Sequence, residues 1–294
     1  MSIEAIPAAA ETPPQAHRPS TLGVLRNPSV LIGALIVTFL AVSGVLAPVL
    51  GTIDPAEINP VFRNKKPGVE RTIRAADGSE RHFVHRFGTD TLGRDVYSRV
   101  VYGARVSLTI GVTVAVLSVG IGLLIGLVTG YIRWLDAIIM RIMDGLMAIP
   151  AILLAMGLVS LSRAGMLAVV IAIVVPEVPR VVRLVRSIVL SIREEPYVEA
   201  AITLGTPTPT LLVQGTFTCA SAILIEAVLS FLGIGIPPET PTWGNIMAEG
   251  RSLFRIYPHN IFYPGVFLAC AVLAINMLGD GLRDTLDPRF AKRT

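Results

Sequence analysis

Apolar residues in this chain gather into long blocks with polar stretches between them. Six blocks stand out: residues 30–50, 107–130, 137–161, 166 to about 180, 213–235 and 262 to about 281. A helix rises 1.5 Å per residue, so about 20 apolar residues cross a hydrocarbon layer about 30 Å thick. The first block is too long for the apolar core of a signal peptide. The pattern therefore predicts an all-α membrane protein with six transmembrane helices. In the fourth block the uninterrupted apolar part ends at Val175, with Pro176, Glu177 and Pro179 close behind. That helix can continue towards Leu190 with a kink, because neighbouring helices satisfy the backbone groups a proline frees.

The polar segments complete the plan. Residues 1–29, with Pro13, Pro14, Pro19 and Pro28, read as a disordered cytoplasmic tail. Residues 51–106 form a polar loop between the first two helices, with turn chemistry at Pro67, Gly68 and Asp77-Gly78. Residues 107–284 make a core with five helices, and 285–294 a second cytoplasmic tail. Arginines in the tails and short loops favour an inside N-terminus and an outer position for 51–106. That loop would then hold ten basic residues outside, but long loops translocate largely regardless of charge. The second block contains Gly111, Gly120, Gly122, Gly126 and Gly130, which let helix backbones approach closely in lipid.

Composition and charge narrow the function classes. Hydrophobic residues make up 52% of the 294 and charged residues 16%, against roughly 25% charged in soluble domains. The formal net charge of +4 comes without a basic patch interleaved with exposed aromatics, so it points to a membrane surface and not to nucleic acid. Cys219 and Cys270 each lie inside an apolar block, which suits neither a disulfide framework nor a metal site. A P-loop lysine follows glycine and precedes serine or threonine, and Lys65, Lys66 and Lys292 do neither. ATP hydrolysis, if used, belongs to another chain. An intramembrane enzyme would need a nucleophile–base pair or metal ligands at membrane depth, and no histidine lies inside an apolar block. A passive channel remains as a rival that would work without ATPase partners. No cofactor is expected.

The most informative polar stretch is Arg193-Glu-Glu-Pro-Tyr-Val-Glu-Ala-Ala-Ile-Thr-Leu-Gly205. Glu194 and Glu195 suit a helix N-terminus and Pro196 its first turn, while Gly205 can close the helix, with Pro207 beyond it. The result is a short helix between two membrane helices. Ala200 and Ala201 keep one side slim enough to enter a groove, and Glu199 offers a charge to a basic partner. These residues alone fit a docking element and a solvated surface helix equally well.

The stretch resembles the EAA loop of ABC-importer permeases. Phe87-Gly-Thr-Asp90 with Gly93-Arg-Asp95, Ser98-Arg99, Gly103 and Arg105 resembles the block before the second helix of the family's peptide and nickel permeases. Asp144, Pro150 and Leu153-Leu-Ala155 are similar to their third helix. Ser230-Phe-Leu-Gly-Ile-Gly-Ile-Pro-Pro238, Trp243-Gly-Asn245 and Ala248-Glu-Gly250 are similar to their fifth helix and outer loop, and Gly279-Asp-Gly-Leu-Arg-Asp284 to their C-terminal end. Residues 1–86 agree with the family only in plan. The resemblance implies alternating access, with this chain forming half of the path for peptides or similar small solutes. Nickel or another small solute is the alternative. It implies a coupling loop at about 191–212, with Glu199, Ala200, Ala201 and Gly205 as the ATPase-coupling residues. The implied partners are a homologous second permease, two ATPase subunits, an external solute-binding protein and membrane lipid. One departure concerns the segment after that loop. The family carries a His-Leu-Pro-Asn-like stretch before its fifth helix, whereas here Leu211-Leu-Val213 runs straight into Gln214-Gly-Thr-Phe217. The link 206–213 is expected to be extended, or the fifth helix to lose its inner turns.

Single residues add candidates. Glu226 lies near the middle of the fifth block, where an ionised group is costly and faces a cavity or a partner. It is either a lining of the translocation path or an interhelix hydrogen bond. Asn276 in the sixth block has the same two readings, with interhelix bonding the stronger. Arg141 with Asp144, and Glu177 with Arg180, are spaced to pair along one helix face. His82 and His85 lack further ligands for a metal and are expected to be solvent-exposed.

Overall fold

The computed structural model describes residues 27–74, 80–162, 165–193 and 208–286. The helices among them are α1 (Pro28–Val45), α2 (Val96–Tyr131), α3 (Arg133–Ala148), α4 (Ala151–Leu161), α5 (Met166–Arg193), α6 (Thr208–Phe231), α7 (Trp243–Gly250) and α8 (His259–Leu286). Strands β1 (Val69–Arg74) and β2 (Glu80–His85) form an antiparallel hairpin in register from Val69 opposite His85 to Arg74 opposite Glu80. Helices α1, α2, α6 and α8 are long and apolar enough to cross a membrane. A fifth span results if α3 and α4, bent by 93° at their junction, are counted together. Helix α5 is 28 residues long, but Glu177, Arg180, Arg183 and Arg186 place charge from its middle onwards.

Helix α2 is the centre of the packing. One side of it joins α5 and α6 in a core of Ile110, Val114, Val169, Ile173, Val182, Ala222 and Leu229, to which Met143 of α3 and Ala155 of α4 add. The other side meets α1, α6, α7 and α8 through Leu40, Val96, Val100, Ile223, Trp243 and Ile275. The chain enters α1 through Asn27, whose side chain accepts a hydrogen bond from the Ser29 amide at 2.9 Å, with Pro28 in the first turn. Asn27 also donates its side-chain amide to the Gly281 carbonyl of α8 at 3.3 Å, fastening the first helix to the last.

Several elements differ from the sequence expectation. Helix α2 begins at Val96, within the stretch assigned to the loop, because Asp95 caps it by accepting from the Ser98 amide at 2.7 Å. The block at 137–161 is broken at Ile149-Pro150: a residue before proline is pushed out of helical geometry, and both residues are extended. Helix α5 runs past Pro176 and Pro179 to Arg193. Helix α6 starts at Thr208, so 208–213 is helical where an extended link was expected. Pro209 falls in its first turn, where the missing N–H has no helical acceptor to lose. The same helix ends at Phe231, before the expected Gly235. Gly233 takes a φ of +79°, and the Gly233 and Ile234 amides return to the Ser230 and Leu229 carbonyls, which closes the helix in a Schellman arrangement. The polar loop contains the β-hairpin, so the fold is mostly helical, not purely so.

Candidate coupling and translocation sites

The polar segment before α2 is folded into a compact cap. Its backbone is laced by Asn64 N–H to Asp90 O (2.9 Å), Thr89 N–H to Lys65 O (3.0 Å) and Asn59 N–H to Leu92 O (3.2 Å). Gly93, at φ +80°, passes directly under the Asn59 carbonyl, leaving no room for a Cβ. Phe87 stacks on Tyr263 of α8 with ring centres 4.0 Å apart.

A buried charge network joins this cap to α7. Asp90 accepts from Arg94 Nε at 2.7 Å and from the Arg99 guanidinium at 2.6 Å. Glu249 on α7 accepts from Arg99 at 2.5 Å and also pairs with Arg94. Burial works to raise the Asp90 pKa, but the Arg99 and Arg94 guanidiniums outweigh it and hold that carboxyl below the usual aspartate range. Beside this network His85 Nδ1 lies 2.8 Å from Asp95 Oδ1, and both side chains are fully buried. His85 is therefore not the exposed residue expected from sequence, whereas His82 is exposed on β2. Among the described residues no group of histidine, cysteine or carboxylate side chains could hold a metal ion. The network was not singled out in the sequence, although its residues lie in two of the stretches that carry the family resemblance.

Glu226 is fully buried in α6. It lies five residues before the helix ends, about 8 Å from its C-terminal end and not at the middle of the helix. Ser230 Oγ donates to its Oε1 at 2.8 Å, and Ser107 Oγ of α2 lies 3.5 Å from Oε2. The Thr242 hydroxyl, which caps α7, lies alongside. Glu226 thus stands where α2, α6 and the start of α7 meet. Asn276 is half-buried on α8, and neither hydrogen bond of Glu226 goes to it.

At the opposite end of α2, charges pair between helices. Arg186 of α5 donates from Nε and from its terminal nitrogen to both carboxylate oxygens of Asp136, at 2.5 and 2.7 Å. Asp144 accepts from Arg183 of α5 at 2.8 Å, a partner in place of the expected Arg141. Glu177 pairs with Arg180 at 2.7 Å along α5. Cys219 is buried and Cys270 half-buried, both as free thiols. The coupling candidates Glu199, Ala200, Ala201 and Gly205 lie outside the described residues.

Residues 118–218 match the family described as binding-protein-dependent transport system inner membrane component. A probable peptide ABC transporter permease of Sinorhizobium fredii is 46% identical over 281 residues, covering 91% of this chain and 91% of that protein. The chain belongs to the inner-membrane permeases of ABC importers. A dipeptide transport system permease of Alkalihalophilus pseudofirmus is 36% identical, with 90% of this chain and 87% of that protein covered. An oligopeptide transport system permease of Bacillus subtilis is 33% identical over the same shares. This permease is accordingly a non-enzymatic, multi-pass component of the inner membrane. The family match runs from the middle of α2 through α3, α4 and α5 into α6, so it brackets the segment that contains Glu199 and Gly205.

Proposed function

We propose that this permease forms half of the translocation path for short peptides or similar small solutes, and that a separate ATPase drives it through residues 191–212. The observation that carries the reading is the end-to-end likeness to permeases named for peptide, dipeptide and oligopeptide transport. The complex contains a homologous second permease, two ATPase subunits and an external solute-binding protein. Six spans are assigned to α1, α2, the bent pair α3–α4, α5, α6 and α8, with both termini inside and 51–106 outside. Glu199, Ala200, Ala201 and Gly205 form the face that docks on the ATPase. Of the two roles weighed for Glu226, burial within this chain and the approach of Ser107 from α2 support the interhelix one. Asn276, half-exposed in the single chain, is better placed to face solute.

Two experiments test this. The permease, its partner permease, the ATPases and the binding protein are reconstituted in proteoliposomes and given labelled dialanine. ATP-dependent uptake is expected, and uptake of nickel without dipeptide would redirect the substrate assignment. For topology, His82→Cys in a chain with Cys219 and Cys270 replaced by alanine should react with an impermeant thiol reagent in cells whose cytoplasmic membrane is intact. Reaction only after that membrane is permeabilised would invert the orientation.

A further inference from the structure

Helix α5 is the last described element before the proposed docking segment, and what holds its end decides where force from that segment goes. Arg186 lies seven residues before Arg193, about 10 Å from the end of the helix. Its guanidinium grips both oxygens of Asp136 with two of its nitrogens, which fixes orientation as well as distance. Asp136 lies in the first turn of α3, just past Ile132, where α2 ends and α3 begins. The fork therefore fastens α5 to the corner between α2 and α3.

Packing leaves little play at this joint. Gly122, Gly126 and Gly130 of α2 face Val181, Val185 and Val189 of α5, each set spaced by four residues. A Cβ at Gly122, Gly126 or Gly130 would lie 2.5, 2.6 or 2.6 Å from the Cβ of the facing valine. The two helices thus interlock at three successive levels, and α3 departs from them towards the 93° bend at Ile149-Pro150. The neighbouring pair, Arg183 with Asp144, is more than half exposed on both sides, whereas Asp136 is 21% and Arg186 29% exposed.

We propose that the Asp136–Arg186 pair is a positioning strut that passes motion of the docking segment into α3 and α4. The proposal rests on the reading of 191–212 as the ATPase-docking loop. A pair this close to the surface adds little to stability, so its loss should leave the permease assembled and change what the assembly does.

The test uses the full complex with Cys219 and Cys270 replaced by alanine and spin labels on Tyr131→Cys and Leu161→Cys, both strongly exposed. The distance between the labels is measured without nucleotide and after trapping with ATP and vanadate. In the parent complex the distance changes on trapping. In Asp136→Asn and Arg186→Gln the change falls to less than half, with ATPase subunits still co-purifying and hydrolysing ATP. The double variant is no worse than either single one, because the two residues act as a unit. The proposal is overturned by an unchanged distance in the parent, by a full change in the single variants, by their loss of the ATPase subunits, or by effects that add in the double variant. Glu199→Arg is run beside them. If it leaves docking and ATP hydrolysis intact, the docking-loop reading fails, and the two outcomes are told apart by co-purification alone.

Discussion

Trp243 donates its indole N–H to the main-chain carbonyl of Val100 at 3.1 Å, binding the first residue of α7 to the second turn of α2. Trp243 is fully buried, and its ring lies against Gly103 on the next turn of α2. Helix α7 and the central helix α2 are therefore joined by packing and by a directed bond at the same side chain.

Trp243→Phe removes the bond and keeps most of the volume, so it should cost about 1 kcal/mol. Trp243→Ala also opens a cavity and should cost about 3–5 kcal/mol. Circular dichroism melts in detergent give the order. Equal losses in the two variants would mean that the ring volume is not what holds α7.

Asp90 should make the cap acid-sensitive. Its folded pKa is lowered, so its contribution is complete above the pKa of an unfolded aspartate and is lost as pH falls through the folded value. Asp90→Asn leaves Arg94 and Arg99 buried with one carboxylate fewer and should cost about 3–5 kcal/mol at neutral pH. The variant should also show a shallower loss of stability between neutral and acid pH than the parent. A parallel acid limb in the two proteins would remove Asp90 as its source.

Gly126 and Gly120 are both glycines of α2, with opposite expectations. Gly126→Val drives a side chain into Val185 and should cost about 1–3 kcal/mol or prevent assembly. Gly120→Val meets nothing within 4 Å and should be tolerated. Yield and melting temperature of the purified chains decide between them.

Glu226→Gln keeps a carbonyl acceptor for one serine hydroxyl and offers an amide N–H to the oxygen of the other, so it should assemble and transport near parental levels. Glu226→Leu leaves Ser107 and Ser230 without that acceptor and should cost about 1–3 kcal/mol. Asn276→Ala should instead alter solute preference with stability preserved. If Glu226→Gln assembles normally but loses uptake, the carboxyl belongs to the path after all.

The membrane spans were legible because lipid imposes block length on the sequence, and α1, α2, α6 and α8 follow it. The start of α2 was missed: Asp95 three residues before Ser98 is a capping signal, but the polar and charged residues before 107 were assigned to the loop. The carboxylate partners of Arg94 and Arg99 include Glu249, which is 150 residues from Arg99 in sequence. The Asp136–Arg186 fork spans 50 residues and was invisible for the same reason. Local spacing suggested Arg141 for Asp144, and the tertiary fold supplied Arg183. Glu226 could be flagged as a carboxylate in an apolar block, with Ser230 one turn further on, whereas Ser107 stands 119 residues away and has no sequence signal that marks it as a partner.

Helix α2 is 36 residues long. At 1.5 Å per residue it measures about 54 Å, nearly twice the hydrocarbon thickness of about 30 Å. No proline interrupts it, and its ends carry the Asp136 corner on one side and the Asp90 cap on the other. A mast of this kind has no joint at which inner and outer events can be separated. Any tilt imposed at its foot appears at its head with reversed sign and comparable sweep. Under the proposed topology, solute reaching the Asp90 cap and an ATPase docked beyond the Asp136 corner would bear on the same rigid shaft.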